Sequence, residues 1–224
     1  MNTVIFTDGS ARGNPGPGGW GSITLTSDKA FELGGREEHT TNNRMELTAV
    51  VSALESIKNE REITIFTDSA YVLNGITRWV KGWVKNNWKT SAKEDVVNRD
   101  LWEKLVEAVG HRVIDWKLIK GHAGHPGNER CDIIATSFAD KNPVVLYNGS
   151  RSRYGIDISI SALPSAKKAK SKSKAYSYVS LVDGVIQVHK TWEECKARVH
   201  GVNAKFKKSV SPQDEEEIIR EFTE

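Results

Sequence analysis

The sequence predicts an α/β fold, in which a mixed sheet carries helices on its faces, followed by a small α+β unit. The tetrapeptide Ile-Phe-Thr-Asp occurs twice, as Ile5–Asp8 and Ile65–Asp68, and each copy ends an apolar strand pattern. Strand and helix patterns then alternate along the chain, which is typical of layered α/β domains. A Ser- and Lys-rich stretch at 148–175 predicts a flexible basic linker. The expected domains are therefore 1–147 and 176–224.

Five strands are predicted in the first domain. Each is a short apolar or alternating run, bounded by residues that favour turns. A stretch rich in Gly and Pro, at 9–21, predicts a turn with little side-chain bulk after the first strand. The second and third strands alternate like an antiparallel pair. The five ranges are 4–8, 20–26, 31–36, 63–68 and 113–120.

Four helices are predicted between and after these strands. In the first, Thr41 and the two residues after it are candidate caps, and Val50 and Leu54 belong to the apolar stripe. Glu46 lies four residues before Val50, so a carboxylate begins the buried face. The four ranges are 41–57, 69–76, 98–109 and 128–140.

The last 50 residues show the signals of a small α+β domain. Asp183-Gly184 is a strong turn pair between two strand patterns. Thr191-Trp-Glu-Glu194 fits a capping box at the start of a helix. Ser211-Pro212, followed by acidic residues, predicts the start of a final helix.

The two aspartates at strand ends point to metal chemistry. A carboxylate taken out of water needs a partner, and two acids side by side in one sheet create a negative cluster that cations stabilise. Hard divalent metals bind such oxygen ligands and act on phosphate esters. Glu46, and Asp132 in the last predicted helix of the first domain, could join Asp8 and Asp68 at the same edge. The alternative is that these residues are separate turn formers and helix caps.

Four runs that carry these acids follow one another along residues 1–141. Together they resemble ribonuclease H type 1, and four collinear motifs are far more specific than one. The runs are Thr7-Asp8-Gly9-Ser10, Thr41-Asn42-Asn43-Arg44-Met45-Glu46-Leu47, Thr67-Asp68-Ser69 and Gly121-His122-Ala123-Gly124-His125-Pro126-Gly127-Asn128-Glu129-Arg130-Cys131-Asp132.

The resemblance implies a five-stranded mixed sheet flanked by helices and an endonuclease that cleaves the RNA strand of RNA–DNA hybrids. The products would carry 5′-phosphate and 3′-hydroxyl ends. The implied cofactors are two Mg²⁺ ions, with Mn²⁺ as an alternative, bound by Asp8, Glu46, Asp68 and Asp132. His122 is implied as a proton carrier for the leaving group, a task that suits a pKa near neutrality.

Three asparagines lie in loops beside the acids, namely Asn14, Asn42 and Asn43. An amide can both donate to and accept from minor-groove base edges and the 2′-hydroxyl of RNA. The resemblance supports substrate contact, whereas the bland alternative is a turn or cap asparagine. Many family members have Gln two residues after the third acid, where this chain has Ala70.

The stretch 78–93 interleaves tryptophans with basic residues. It resembles the family's basic protrusion, in which Trp79, Trp83 and Lys85 would contact sugars and phosphates of the DNA strand. The alternative is an ordinary amphipathic helix whose tryptophans pack in the core.

The C-terminal domain resembles the hybrid-binding domain of many eukaryotic ribonucleases H and of caulimovirus proteins. The resemblance rests on Trp192-x-x-Cys-Lys and Phe206-Lys-Lys, and it departs from the pattern at Ser209 and in following the nuclease. It implies that Trp192 and Phe206 stack on DNA sugars, with Tyr178 nearby, while Lys207 and Lys208 hold phosphate. Alternatively, Trp192 and Phe206 form the core of this small domain. Double-stranded RNA is a second candidate ligand for it.

Composition supports a nucleic-acid partner and a reducing compartment. Between 167 and 208, eleven Lys and Arg face three acidic residues, although the whole chain has a net charge of only +3. The two cysteines lie in different domains, which indicates free thiols. No run approaches membrane-spanning length, and the first strand starts at Thr3, without room for a signal peptide. We therefore expect a cytoplasmic monomer without membrane contact.

Two other functions are compatible with parts of the pattern. A binder of hybrid or double-stranded RNA could keep the fold without catalysis, but a gap in the acid set would then be expected and none is visible. A domain of a retroelement polymerase is the third possibility, and the absence of a polymerase segment argues against it.

Overall fold

The computed structural model describes residues 2–121, 124–156, 158 and 175–223. The chain forms two compact units, Met1–Leu163 and Pro164–Glu224. His122 and most of the predicted linker lie outside the described residues. Within the described part of the chain, every helix is too short or too polar to cross a lipid bilayer.

The first unit is built on a mixed sheet of six strands in the order β5-β4-β1-β2-β3-β6. β1 is antiparallel to β2 and parallel to β4, and β4 is parallel to β5. β3 pairs antiparallel with both β2 and β6. The strands are β1 (Thr3–Ala11), β2 (Gly16–Leu25), β3 (Lys29–Thr40), β4 (Glu62–Thr67), β5 (Val113–Leu118) and β6 (Asn148–Ser150).

Among the described residues of this unit, five α-helices accompany the sheet, and most start where the sequence predicts. Thr41 caps the first by accepting a hydrogen bond from the Arg44 backbone. The helix predicted to start at 69–76 continues through a π-helical turn, Gly75–Trp79, into the next helix, Val80–Lys85. A side chain at Gly75 would collide with the Trp102 indole. The helices are α1 (Asn42–Glu55), α2 (Ala70–Asn74), α3 (Val80–Lys85), α4 (Arg99–Val109) and α5 (Pro126–Ala139).

Apolar cores fill both faces of the sheet. On one face, Ile5 and Ile65 pack with Leu47 and Leu54 of α1 and with Trp102 of α4. On the other face, the alternate residues of the same strands pack toward α5, as β-strand geometry requires. These residues include Val4, Phe6, Phe66 and Cys131.

The glycine-rich stretch is largely strand, so the predicted turn at 9–21 is wrong in extent. β1 runs to Ala11 and β2 begins at Gly16, which leaves only a short connection. Glycines in β2 let α5 approach the sheet closely: a Cβ at Gly21 would stand 2.6 Å from the Cys131 carbonyl oxygen. The missing side chains thus serve helix packing as well as the turn.

A sixth strand corrects the five-stranded expectation and the start of the predicted linker. Asn148–Ser150, assigned to the linker at 148–175, pairs with β3. A buried carboxylate holds this region: Glu32 of β3, 4% exposed, receives two bonds of 2.8 Å from Arg130 of α5. It also accepts from the Tyr154 hydroxyl at 2.7 Å and the Tyr147 backbone at 2.9 Å. A buried charge needs all these partners, so the chain after α5 is tied down.

Burial by itself would raise the pKa of Glu32. The bonds from Arg130, Tyr147 and Tyr154 outweigh burial and hold that pKa below its usual value. Glu32 is therefore ionised at neutral pH, and its charge is matched by Arg130.

The second unit is a three-stranded antiparallel sheet with one helix on each face. β7 (Ser177–Val182) lies between β8 (Val185–His189) and β9 (Ala204–Ser209). Arg198 of α6 (Trp192–Val199) donates to Ser180, whereas Ser177 donates to Glu215 of α7 (Pro212–Thr223). Because Ser177 and Ser180 point to opposite faces of β7, the two helices cover opposite faces.

The sequence signals in this unit are confirmed. Asp183 and Gly184 both have positive φ in the hairpin turn, as a primed turn requires. Thr191 and Glu194 form a complete capping box at α6.

Candidate active site

Two aspartates leave the sheet side by side. Thr7 and Thr67 are partners in the parallel pairing of β1 and β4, so Asp8 and Asp68 occupy equivalent positions one residue later. The rings of Phe6 and Phe66 stack beneath them, with centroids 4.8 Å apart. Asp8 is 9% exposed and accepts a bond of 2.7 Å from the Gly9 backbone.

Glu46 of α1 joins them through contacts to two other elements of the site. The Ser69 hydroxyl donates to Glu46 Oε2, and Ser69 directly follows Asp68. The Asn42 amide donates to Glu46 Oε1 at 2.8 Å, from one helical turn earlier. Both carboxylate oxygens are therefore oriented.

The electrostatics show that the four predicted acids share one field. Burial, and then the Asp68 charge, raise the pKa of Asp8 to about 8, and the charges of Asp132 and Glu46 add to this effect. Burial also raises the pKa of Glu46 to about 7; the bond from Ser69 opposes this shift and the Asp68 charge adds to it. Each carboxylate makes it harder to ionise its neighbours.

Two residues of the loop and helix after β5 shape the surroundings of Asp68. The Asn128 amide lies 3.3 Å from Asp68 Oδ2, and Asn128 is 3% exposed. A Cβ at Gly121 would stand 2.7 Å from the same oxygen. A side chain at position 121 would therefore force this oxygen of Asp68 to move.

The four acids fit a hard divalent cation by their chemistry. They offer only carboxylate oxygens, the ligands that Mg²⁺ prefers. None of the ion pairs formed by the described residues involves Asp8, Glu46, Asp68 or Asp132, so no lysine or arginine neutralises them.

Within the same described ranges, no three His, Cys, Asp or Glu side chains are arranged to hold a single ion. Four unneutralised carboxylates repel one another. A divalent cation bound among them would relieve this repulsion.

Sequence reasoning assigned no role to Ser69, Gly121 or Asn128. All three lie within the quoted motifs, next to or near an acid, but the motif alone does not tell which neighbour touches which carboxylate. Asn128 also keeps a buried Oδ1 that finds no partner in the described part of the chain.

The predicted substrate residues of this unit fall into two groups. Asn14 and Asn43 are exposed, whereas Asn42 is half-buried and bound to Glu46. His122, the predicted proton carrier, lies outside the described residues.

The tryptophans of the basic stretch form one aromatic cluster. Trp79 is 40% exposed and lies 5.8 Å from Trp83, which in turn lies 5.6 Å from the buried Trp102 (centroid distances). Lys85 is exposed at the end of α3. Trp88 is buried, so core packing accounts for that residue while Trp79 remains accessible.

In the second unit, three rings line one face. Trp192 lies 5.6 Å from Tyr178 and 5.5 Å from Phe206, between ring centroids. Trp192 and Phe206 are 37% and 49% exposed, so the alternative that they form the domain core is wrong. That core contains Val179, Cys195 and Ile218 instead.

The two predicted phosphate-binding lysines point to opposite faces of β9. Lys208 is opposite Tyr178 in the pairing of β7 and β9 and shares the aromatic face. Lys207 lies on the other face and pairs with Glu221 of α7. The structure therefore groups Lys208, but not Lys207, with the three rings.

The first unit is similar to known ribonucleases H. A protein-family model described as RNase H matches residues 1–140. Ribonuclease H of Alcanivorax borkumensis is 53% identical over 140 residues, which is 62% of this chain and 93% of that protein. Ribonuclease H of a Bradyrhizobium species is 55% identical over 131 residues, 58% of this chain and 85% of that protein.

A solved structure shows the same fold. The crystal structure of LC9-RNase H1, a type 1 RNase H with the type 2 active-site motif, is 31% identical, with a TM-score of 0.57. The similarity covers 66% of this chain and 77% of that one. The family match ends at residue 140 and does not extend to the second unit.

Proposed function

The chain belongs to the ribonuclease H family and is an endonuclease of the RNA strand of RNA–DNA hybrids, and we propose that its four clustered carboxylates hold two Mg²⁺ ions for this reaction. The family is generally dependent on divalent metals. The proposed ligands are Asp8, Glu46, Asp68 and Asp132.

The observation that supports this proposal most is the placement of Asp8 and Asp68 directly after the register pair Thr7 and Thr67, with Glu46 bound to Ser69, the residue after Asp68. Burial and then the neighbouring acids raise the pKa of Asp8 to about 8, which agrees with a site for cations. Carboxylates that oppose one another's ionisation destabilise the fold when they are charged, and a bound cation would offset this cost. Ions held there would supply Lewis-acid chemistry: a lower pKa for a bound water, and stabilisation of the charge that develops on the leaving 3′ oxygen. We expect Mn²⁺ to substitute for Mg²⁺.

The chain's own residues prepare this site. Asp8 accepts the Gly9 amide, which favours its ionised form against the effect of burial. The Asn128 amide donates to Asp68 Oδ2, and the lack of a side chain at Gly121 leaves room for that oxygen. To His122 we assign proton transfer to the leaving oxygen, on the strength of its motif, and this role stays a prediction. The products then carry 5′-phosphate and 3′-hydroxyl ends.

For the substrate, we propose that Asn14, Asn42 and Asn43 contact the minor groove and the RNA 2′-hydroxyls. The exposed Trp79 and Lys85, together with Trp83 behind Trp79, suit the sugars and phosphates of the DNA strand.

The second unit is proposed as an additional hybrid-binding domain. Its support is an accessible aromatic face, made of Tyr178, Trp192 and Phe206 with Lys208 beside it. Deoxyribose offers an apolar face without a 2′-hydroxyl, so these rings suit the DNA strand. Tethering would raise the affinity for hybrids through effective concentration. Binding of double-stranded RNA, a monomeric state and a cytoplasmic location remain predictions.

A cleavage assay tests the proposal. A labelled RNA–DNA hybrid is incubated with the full chain in Mg²⁺ or in EDTA, beside matched single-stranded RNA and double-stranded RNA. We expect that the hybrid is the only one of the three substrates to be cleaved, and that cleavage requires Mg²⁺. Asp115→Asn is a control for the loss of an acid outside the cluster, because Asp115 is exposed and pairs with Lys117 in β5. This variant should cleave like the parent. Retention of the hybrid without metal-dependent cleavage would favour the non-catalytic binder.

A further inference from the structure

Glu46 differs from the other acids of the site in that both of its oxygens are held by neutral donors. Ser69 donates to Oε2, and Asn42 donates to Oε1 at 2.8 Å. A charged donor would orient the carboxylate but would also neutralise it. A hydroxyl and an amide orient it and leave its negative charge available to a cation.

The direction of the Ser69 bond follows from its second contact. The Val72 backbone N–H donates to Ser69 Oγ at 3.2 Å, because Ser69 is the N-cap of α2. The hydroxyl therefore uses a lone pair for the cap and has one proton left, which points to Glu46. Ser69 is 4% exposed, so water competes little for this bond.

The two donors come from different parts of the site. Asn42 belongs to the same helix as Glu46, whereas Ser69 directly follows Asp68 after β4. The Ser69 bond thus ties the ligand on α1 to the strand end that carries a second ligand. Groups that hold a metal ligand in this way commonly decide the affinity of the site.

We propose that Ser69 and Asn42 are positioning residues, which hold Glu46 in the orientation in which it binds a divalent ion. The inference rests on the proposed function, since it takes Glu46 as a ligand. It also changes the role of Asn42. One N–H of its amide is committed to Glu46, so the second N–H and Oδ1 remain for the substrate, and a carbonyl oxygen can accept from a ribose 2′-hydroxyl.

Binding of Mn²⁺ to the full chain without substrate tests this role, with free Mn²⁺ counted by electron paramagnetic resonance. We expect Ser69→Ala and Asn42→Ala each to weaken Mn²⁺ binding about tenfold. Ser69→Thr keeps the hydroxyl and should restore most of the affinity. Asn59→Ala is the matched control, because Asn59 is exposed and lies beyond the end of α1, and its Mn²⁺ affinity should equal that of the parent.

Thermal unfolding of the same variants separates positioning from capping. Ser69→Ala also removes the cap of α2 and should lower Tm, whereas Asn42→Ala leaves that cap intact. Unchanged Mn²⁺ affinity in Asn42→Ala and in folded Ser69→Ala would overturn the inference, whatever their Tm. Glu46→Gln tests the proposed ligand set separately from the positioning of Glu46. If this variant binds Mn²⁺ like the parent, the proposed ligand set itself is wrong.

Discussion

Asp8 and Asp68 follow the register pair Thr7 and Thr67 of the parallel strands β1 and β4. The repeated tetrapeptide therefore has a geometric meaning: the two copies lie next to each other with their acids at the same height. In an antiparallel pair the two strand ends would lie at opposite edges of the sheet. Parallel pairing is what turns a repeated sequence into one site.

Replacing Asp68 by Asn should abolish cleavage and leave hybrid binding intact. The amide keeps the size of the side chain but removes the charge that we assign to metal binding. We expect a loss of at least about a thousandfold in cleavage rate, in line with several kcal/mol of charge stabilisation. Binding of a labelled hybrid in Ca²⁺ is the second measurement. A variant that cleaves normally, or that loses hybrid binding, would contradict the division of roles.

The pKa of Asp8 predicts how stability depends on pH without metal. Because the folded-state pKa is about 8 against 3.8 ordinarily, the native state binds the extra proton between these values. Stability in EDTA should therefore fall as pH rises from about 4 to about 8 through this group. Asp8→Asn should flatten that part of the Tm profile.

Divalent ions should offset the same destabilisation, since they bind the ionised site. We expect Mg²⁺ to raise the Tm of the parent at pH 8.5 more than at pH 6. Asp140→Asn is the control, because Asp140 is exposed and paired with Arg12. Its Tm should respond to Mg²⁺ as that of the parent does. An equal Mg²⁺ effect at both pH values would argue against proton release from the cluster.

A methyl group at position 121 should lower the cleavage rate by displacing Asp68. The new Cβ of Gly121→Ala would stand 2.7 Å from Asp68 Oδ2, so that oxygen must move. Displacement of a reacting group by up to 1 Å can cost up to about a hundredfold in rate, and we expect a loss of at least tenfold. Gly155→Ala, whose new Cβ would have no atom of the described residues within 4 Å, should cleave like the parent. Equal activity of both variants would show that Asp68 tolerates the shift.

The aromatic face of the second unit should carry its hybrid affinity. Trp192→Ala and Phe206→Ala should each cost about 1–3 kcal/mol in binding, the usual range for stacking on nucleic acid. Lys207→Ala should cost less, because Lys207 lies on the opposite face and pairs with Glu221. Titration of a hybrid in Ca²⁺ at two salt concentrations measures these effects. A larger loss of affinity from Lys207→Ala than from Trp192→Ala would indicate that the hybrid binds the face of Lys207, which contradicts the proposal.

The Tyr154 hydroxyl should stabilise the first unit through Glu32. It donates at 2.7 Å to a carboxylate that is almost fully buried. Tyr154→Phe should lower the free energy of unfolding by about 1.5–3 kcal/mol, the range for hydrogen bonds to charged groups. Urea unfolding measures the change. Tyr176→Phe is the comparison, since Tyr176 is 52% exposed in the second unit, and it should have little effect.

Much of the fold was predictable because its signals are local. Hydrophobic periodicity gave the five main strands and the starts of α1 and α4, and turn and cap residues gave the hairpin at Asp183 and the helix at Thr191. The prediction was wrong where local signals mislead. Glycines that suggested a long turn lie in β2, where the absence of side chains lets α5 pack closely against the strand. Residues 148–150 were predicted to be linker. However, Glu32, which is far away in sequence, accepts a hydrogen bond from the Tyr147 backbone and so holds this segment against the sheet.

The sequence by itself determined which acids are expected in the site, through a repeated strand ending and four ordered motifs, because these patterns lie within short stretches of chain. Only the tertiary structure decided what touches them. The bond from Ser69 to Glu46, the tight approach of Gly121 to Asp68, and the opposite faces of Lys207 and Lys208 all depend on register and packing between distant elements. Such contacts form only when the whole sheet does, so no local pattern encodes them.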